Sequence, residues 1–187
     1  MQLVLPAEPY LASYVDALRR GWSRDNLRPE AYQEELAAIE RDAPAFLASL
    51  DDPDGRGEPI DLPDGTRVPR LPGFQRWMWD GDFCGSIGFR WSPGSAALPE
   101  TCLGHIGYGV VPWKRGRGYA TKALRQLIPH ARAIGLPYVE LTTRPDNIAS
   151  QRVILANGGV LIERFEAPRH HDEGAVLRFR IPLTTNG

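Results

Sequence analysis

From Gly109 to Thr121 the chain reads Gly-Val-Val-Pro-Trp-Lys-Arg-Gly-Arg-Gly-Tyr-Ala-Thr: an apolar strand end, a basic turn with two glycines, then a helix start. Early N–H groups of a helix lack internal partners, and the helix dipole favours negative charge there. Glycines at 116 and 118 let the backbone wrap closely round a bulky anion. Lys114, Arg115 and Arg117 bring positive charge to the same point. The segment predicts a pyrophosphate cradle lodged between a strand and a helix. The GxxxxGK[ST] spacing of a nucleotide-hydrolysing loop is absent, and so is GxGxxG. The plainer alternative, a solvated Arg-rich turn, does not explain why the turn lies where a strand hands over to a helix.

The chain round this segment divides by charge. Residues 1–64 carry 14 acidic side chains and 6 Arg, a balance of −8, whereas residues 65–187 carry 9 acidic and 16 basic side chains, a balance of +7. The whole is close to neutral at −1, with 42% hydrophobic residues, enough for a real core in one domain of 187 residues. No apolar run approaches the ~20 residues that span a bilayer. Met1–Pro6 shows no basic stretch followed by a long apolar one, so neither a membrane span nor a signal peptide is expected. Two cysteines, Cys84 and Cys102, with no CxxC pattern point to a reducing, cytoplasmic setting.

Hydrophobic spacing predicts an opening strand ended by Pro6 and helices over Tyr10–Trp22, Pro29–Arg41 and Ala43–Leu50. Asp51–Asp64, rich in Asp, Gly and Pro, reads as a loop. Strands are expected at Phe74–Trp79 and Phe83–Trp91, joined by a two-residue Asp80-Gly81 turn, and at Leu103–Val111. Gly118–Ala133 is a helix, Tyr138–Thr142 a strand and Ala149–Ala156 a short helix stopped by Asn157-Gly158-Gly159. Val160–Ile162 and Ala175–Ile181 complete the strands. This order predicts a mixed α/β (α+β) chain built on one sheet: an acidic helical part over 1–64 and a sheet core over 74–187.

Arg115-Gly116-Arg117-Gly118-Tyr119-Ala120 resembles the R/Q-x-x-G-x-G/A signature of the GCN5-related N-acetyltransferases. Asn147-Ile148-Ala149-Ser150 followed by Asn157-Gly158-Gly159 is similar to that family's second cofactor segment. His105-Ile106-Gly107-Tyr108 resembles the E-I-G-Y variant of the branch that acetylates ribosomal-protein N-termini. The resemblance implies a splayed, mostly antiparallel sheet flanked by helices, acetyl-CoA as co-substrate and direct attack of a primary amine on its thioester. The acceptor is a small-molecule amine or a peptide N-terminus, and a homodimer is compatible with the family. Carried over by position, Val110 and Val111 offer backbone groups to the pantetheine and thioester. Arg115, Gly116, Arg117, Gly118, Tyr119, Ala120 and Thr121 hold the pyrophosphate, and Asn147 and Ser150 touch the far side of the cofactor.

The chemistry needs a base for the ammonium and an acid for the thiolate, and no metal. Ile154 stands where the family often has its acidic Tyr; Ser150 is the nearest substitute, and is equally suited to capping its helix. His105 and Glu140 are the candidate bases. Two other classes compete: a non-catalytic acyl-CoA sensor, suggested by Ile154, and a nucleic-acid binder, for which the basic turn has only Trp113 and Tyr119 as stacking partners. Trp77, Trp79, Trp91, Phe83 and Phe89 read as packing, and His170-His171-Asp172-Glu173 as an extended loop whose side chains point apart.

Overall fold

A computed structural model describes residues 1–25, 28–62, 65–168 and 174–183. Strand β5 (Gly73–Trp79) is central to the first sheet, because β1 (Gln2–Val4) and β2 (Asp51–Asp52) both pair with it on the side away from β6 (Phe83–Arg90). The sheet continues from β6 to β7 (Ile106–Val110), every pairing antiparallel. A second sheet has the order β8–β10–β9, with β8 Tyr138–Thr143, β9 Val160–Glu166 and β10 Ala175–Pro182, again antiparallel. No ladder joins β7 to β8 among the described residues, so one expected sheet is two that part company between these strands.

Alternation along β5 and β6 gives the first sheet two buried faces. On one, Met78, Cys84, Ile87 and Phe89 meet Ala123, Leu124, Leu127 and Ala131 of α3 (Tyr119–Ala133). Burying side chains such as Leu124 or Ile87 completely contributes roughly 1.5–3 kcal/mol each. On the other face, Trp77 and Phe83 meet Tyr14, Leu18 and Trp22 from α1 (Glu8–Arg19) and its exit, and Phe46 from α2 (Ala31–Ser49). Tyr14 stacks on Trp77 with ring centroids 4.4 Å apart. Its hydroxyl donates to the buried Glu35 carboxylate, which also takes the Arg24 guanidinium. Burial, followed by the Glu35 charge, pushes the Tyr14 hydroxyl well above its ordinary pKa, so it stays a donor and ties α2 to α1.

Several expected boundaries move for local reasons. The two helices expected either side of residue 42 form one span, kinked where Asp42 adopts φ −160°, ψ 89° and its carboxylate accepts the Ala45 N–H at 2.9 Å. That bond caps the second segment, and Pro44 suits its first turn. The expected loop over Asp51–Asp64 instead contributes β2 and a small hairpin of β3 (Ile60–Asp61) with β4 (Arg67–Val68). It is organised by the Asp52 carboxylate, which accepts the N–H groups of Arg56 at 2.9 Å and Gly57 at 2.8 Å. The expected two-residue turn is a three-residue loop, since Trp79 pairs with Phe83 and Asp80 N–H reaches the Asp82 carbonyl at 3.3 Å. Helix α4 (Ile148–Leu155) and the strands β8 to β10 otherwise follow the expected order. Among the described residues, no helix is long and apolar enough to cross a membrane.

The register shift between Met78 and Trp79 is absorbed opposite Gly85, at φ +147°. A Cβ there would stand 2.1 Å from the Gly109 carbonyl oxygen and 2.8 Å from Val110 Cα, so only glycine lets β7 lie this close. Gly85→Ala is expected to cost roughly 3 kcal/mol or more in urea unfolding. A loss below about 1 kcal/mol would show that β7 can shift away freely.

Candidate active site

The basic glycine turn leaves β7 through a short 3-10 segment, Pro112–Lys114, and enters α3 at Gly118. Gly116 and Gly118 have φ of +76° and +72°, values a side chain rarely adopts, and nothing lies within 4 Å of where a Cβ would be. These glycines thus serve the backbone's direction, and the space above them is open. None of the N–H groups from Gly116 to Thr121 meets an acceptor among the described residues; the first to do so is that of Lys122, 3.1 Å from the Gly118 carbonyl. An exposed row of unpaired donors at a helix start fits a polyanion such as pyrophosphate.

The basic side chains divide their duties differently from the sequence expectation. Lys114 Nζ lies 2.7 Å from Asp80 Oδ1, and the Tyr119 hydroxyl donates to Asp80 Oδ2 at 2.5 Å. Asp80, expected only as a turn residue, therefore pins the cradle to the β5–β6 loop. Nothing in its sequence context signalled a partner 34 residues away. Arg115 Nε donates to the Val110 carbonyl at 3.2 Å, while Arg115 and Arg117 stay exposed.

At the end of β7 the two valines behave differently. Val111 N–H donates to the Cys84 carbonyl at 3.0 Å, its own carbonyl accepts Lys114 N–H at 3.0 Å, and its side chain is fully buried with the α1–α2 cluster. Both its backbone groups are thus taken up within the fold. Antiparallel alternation turns the Val110 N–H and carbonyl the other way, away from β6 and towards the gap before β8.

Across that gap, Asn147 caps α4, its Oδ1 accepting the Ser150 N–H at 3.0 Å, and Ser150 Oγ lies 2.9 Å from the Tyr108 hydroxyl. Burial pushes Tyr108 up to about 12, partly offset by the Ser150 hydrogen bond, so the phenol keeps its proton at neutral pH. Tyr108 carried no assignment in sequence, yet it lies two residues from Val110 on the same strand, and period-two alternation would have placed both beside the gap. Ile154 is fully buried and packs where a Gly159 Cβ would come within 2.3 Å of its Cγ2. Asn157 Nδ2 links the end of α4 to the start of α3, donating to the Val153 carbonyl at 2.8 Å and the Thr121 carbonyl at 3.3 Å.

The two candidate bases lie at the closed end of the gap. His105 is 0% exposed, and its Nδ1 accepts the Glu140 N–H at 3.0 Å, leaving the proton on Nε2, a buried atom with no hydrogen-bond partner. Burial pushes the imidazole pKa down, against the opposing pull of the Glu140 charge. Glu140 Oε1 takes Arg180 Nη2 at 2.6 Å and Nε at 3.1 Å, and its Oε2 faces Arg178 Nε at 3.8 Å. Among the described residues no group of His, Cys, Asp and Glu side chains gathers to hold a metal ion; His170-His171-Asp172-Glu173 lie outside the described residues.

The fold is mixed α/β, with two antiparallel sheets that part beside a glycine turn whose N–H groups are unpaired among the described residues. The family model of the acetyltransferase (GNAT) domain matches residues 35–160, and the chain belongs to that family. It is an acetyl-CoA-dependent N-acetyltransferase with acetyl-CoA as co-substrate. No curated protein matches the chain in sequence. Among solved structures it is similar to the microcin C7 self-immunity acetyltransferase MccE in complex with acetyl-CoA and AMP (13% identity, 96% of this chain and 91% of that one, TM-score 0.64). It is also similar to RimL, a ribosomal-protein alpha-N-acetyltransferase, in complex with coenzyme A (15%, 96% and 92%, TM-score 0.64). A variant of the spermidine N-acetyltransferase SpeG from Vibrio cholerae shares the fold as well (11%, 98% and 94%, TM-score 0.57).

The hydrogen bonds from Lys114 and Tyr119 hold the Asp80 carboxyl well below the usual carboxylate range. A depressed native pKa stabilises the fold above the unfolded value of about 3.9, and that increment is lost as pH falls towards the native value. Asp80→Asn is expected to melt below wild type near pH 7, with the gap narrowing progressively as pH falls below about 4. A gap constant across that range would remove the Asp80 charge from the stability of the cradle.

Proposed function

We propose that the chain acetylates its amine acceptor in the gap where β7 parts from β8, with Tyr108 and Ser150 acting there as one proton-holding pair. The observation that carries this reading is the 2.9 Å contact between their hydroxyls, beside the outward-turned backbone of Val110. Acetyl-CoA supplies an activated acyl carbon to the amine and a thiolate as leaving group. The N–H row from Gly116 to Thr121, with Arg115 and Arg117, holds the pyrophosphate; Val110 N–H donates to the oxygen on which negative charge develops. Tyr108, still protonated at neutral pH, passes a proton through Ser150 to the departing sulfur and is at once reprotonated from solvent. Asn147 holds Ser150 in place through its cap. The acceptor's proton leaves to solvent, because the His105 lone pair and both Glu140 oxygens already face partners.

Two residues that act as a unit lose their effect together. Ser150→Ala and Tyr108→Phe are each expected to lower kcat roughly 10–100-fold with little change in KM for acetyl-CoA, followed by thiol release. The double variant should be no worse than the poorer single one; losses that multiply would break the pair into independent residues.

The acceptor enters from the α1–α2 side, a reading supported by Val111, which the cluster of Tyr14, Leu18, Trp22 and Phe46 buries, and by Arg20, 4.7 Å above the Trp113 ring. Local arginines pair with Asp16, Glu34, Glu35 and Asp54, but the exposed Glu30 and Glu40 have no ion-pair partner among the described residues. The negative surplus of this part therefore favours a cationic acceptor. Diamines should give about tenfold higher kcat/KM than neutral amines of equal length, with the gap narrowing as salt rises. Equal rates, or a preference for anionic amines, would overturn the charge argument. The same reading places the enzyme in the cytoplasm, where free thiols such as Cys84 and Cys102 persist.

A further inference from the structure

The two sheets share no ladder, so something else must fix the angle at which β7 and β8 part. The main chain at the apex is nearly spent. His105 carbonyl accepts Arg90 N–H from β6 at 2.9 Å, and His105 N–H donates to the Glu140 carbonyl at 2.8 Å. A normal β-bridge would return the Glu140 N–H to a main-chain carbonyl on β7's side, but the His105 carbonyl is already turned to β6. The imidazole completes the exchange instead, its Nδ1 accepting that N–H at 3.0 Å. Gly104 permits the approach: a Cβ there would lie 3.2 Å from the Glu140 carbonyl oxygen and 3.4 Å from Leu141 Cα. Tyr138 stands edge-on to the imidazole at 6.4 Å, and the ring is fully buried.

We propose that His105 is a positioning residue whose imidazole replaces a missing backbone carbonyl, closing the narrow end of the β7–β8 gap. It acts on the chemistry through others. By anchoring β7 to both β6 and β8 it sets where Val110 and the Tyr108–Ser150 pair stand, five and three residues further along the strand. The requirement is a hydrogen-bond acceptor at the δ position and no titration. This rests on acetyl transfer taking place in that gap, although the joint itself can be tested without turnover.

The discriminating variants are His105→Asn, whose Oδ1 falls where Nδ1 was, and His105→Gln and His105→Leu, which offer no acceptor there. His105→Asn should keep kcat within about threefold and leave the pH–rate profile unchanged. His105→Gln and His105→Leu should lose kcat at least about tenfold, as a misplaced reacting group does, while CoA affinity at the distant cradle changes less than about threefold. Loss in His105→Asn equal to that in His105→Leu, with one limb of the pH profile gone, would make His105 a proton-transfer group and overturn the proposal. Full kcat in His105→Leu would reduce it to filler. Nitrogen NMR of the wild-type imidazole decides the joint independently of activity and of any variant's folding. The Nε2–H tautomer should persist without titrating from about pH 5.5 to 8.5. A ring that titrates in that range, or carries its proton on Nδ1, overturns the joint even if acetyl transfer is confirmed.

Discussion

Two strands that lie side by side without a ladder leave a row of N–H and carbonyl groups with nowhere to go. A fold tolerates this only if the gap is closed at one end and filled or solvated at the other. Here β7 and β8 are tied by His105 and Glu140 at one end, and the Tyr108–Ser150 contact spans from β7 to α4 further along. Beyond that contact the Val110 backbone faces the opening, and the next turn delivers the chain to a helix start whose first N–H groups are also unpaired. Unmet N–H groups therefore recur at two places, Val110 at the end of the strand and Gly116 to Thr121 at the start of the helix, with the satisfied backbone of Val111 and the 3-10 segment between them.

Much of the rest of the structure keeps this opening rigid. Gly85 lets β6 and β7 approach where the strand bends, and Val111 is locked by both its backbone bonds and its burial among Tyr14, Leu18 and Trp22. The buried Tyr14–Glu35–Arg24 group holds α2 to α1, so the helices packed over Val111 cannot slide independently. Asp80 does the same for the cradle by holding Lys114 and Tyr119.

Elements with strong periodicity were legible in the sequence: α1, α3 and strands β5, β6, β8 and β10 fall within a few residues of their expected spans. The strand–turn–helix setting of Gly116 and Gly118 was legible because glycine and helix-start chemistry are local. Whatever depends on a distant partner was not. Asp80 looked like turn punctuation, since its role needs Lys114 and Tyr119 to arrive from another part of the chain. The residue type of His105 suits proton transfer, but the hydrogen bond that its lone pair makes could not be read locally, because the Glu140 N–H it accepts lies 35 residues away. Leu103–His105 were expected in β7, yet pairing begins at Ile106, because His105 has already turned its N–H to β8. Short pieces such as β2, β3 and β4 escaped notice for another reason: two-residue strands carry no period to detect.

The uneven charge of the sequence acquires a different meaning once partners are visible. Part of it cancels across the divide, as Arg76 meets Asp51 at 3.1 Å and Arg67 meets Asp61 at 3.4 Å. Within the cradle, Lys114 is neutralised by Asp80 and the Arg115 Nε is turned to the Val110 carbonyl. In the proposed function the backbone N–H row therefore does most of the directional work of holding phosphate, with arginine charge adding long-range attraction. Fixed dipoles cost no side-chain entropy to aim, whereas an exposed arginine must be immobilised before it helps. This is why the glycines, which only shape the backbone, constrain the site more tightly than the basic residues beside them.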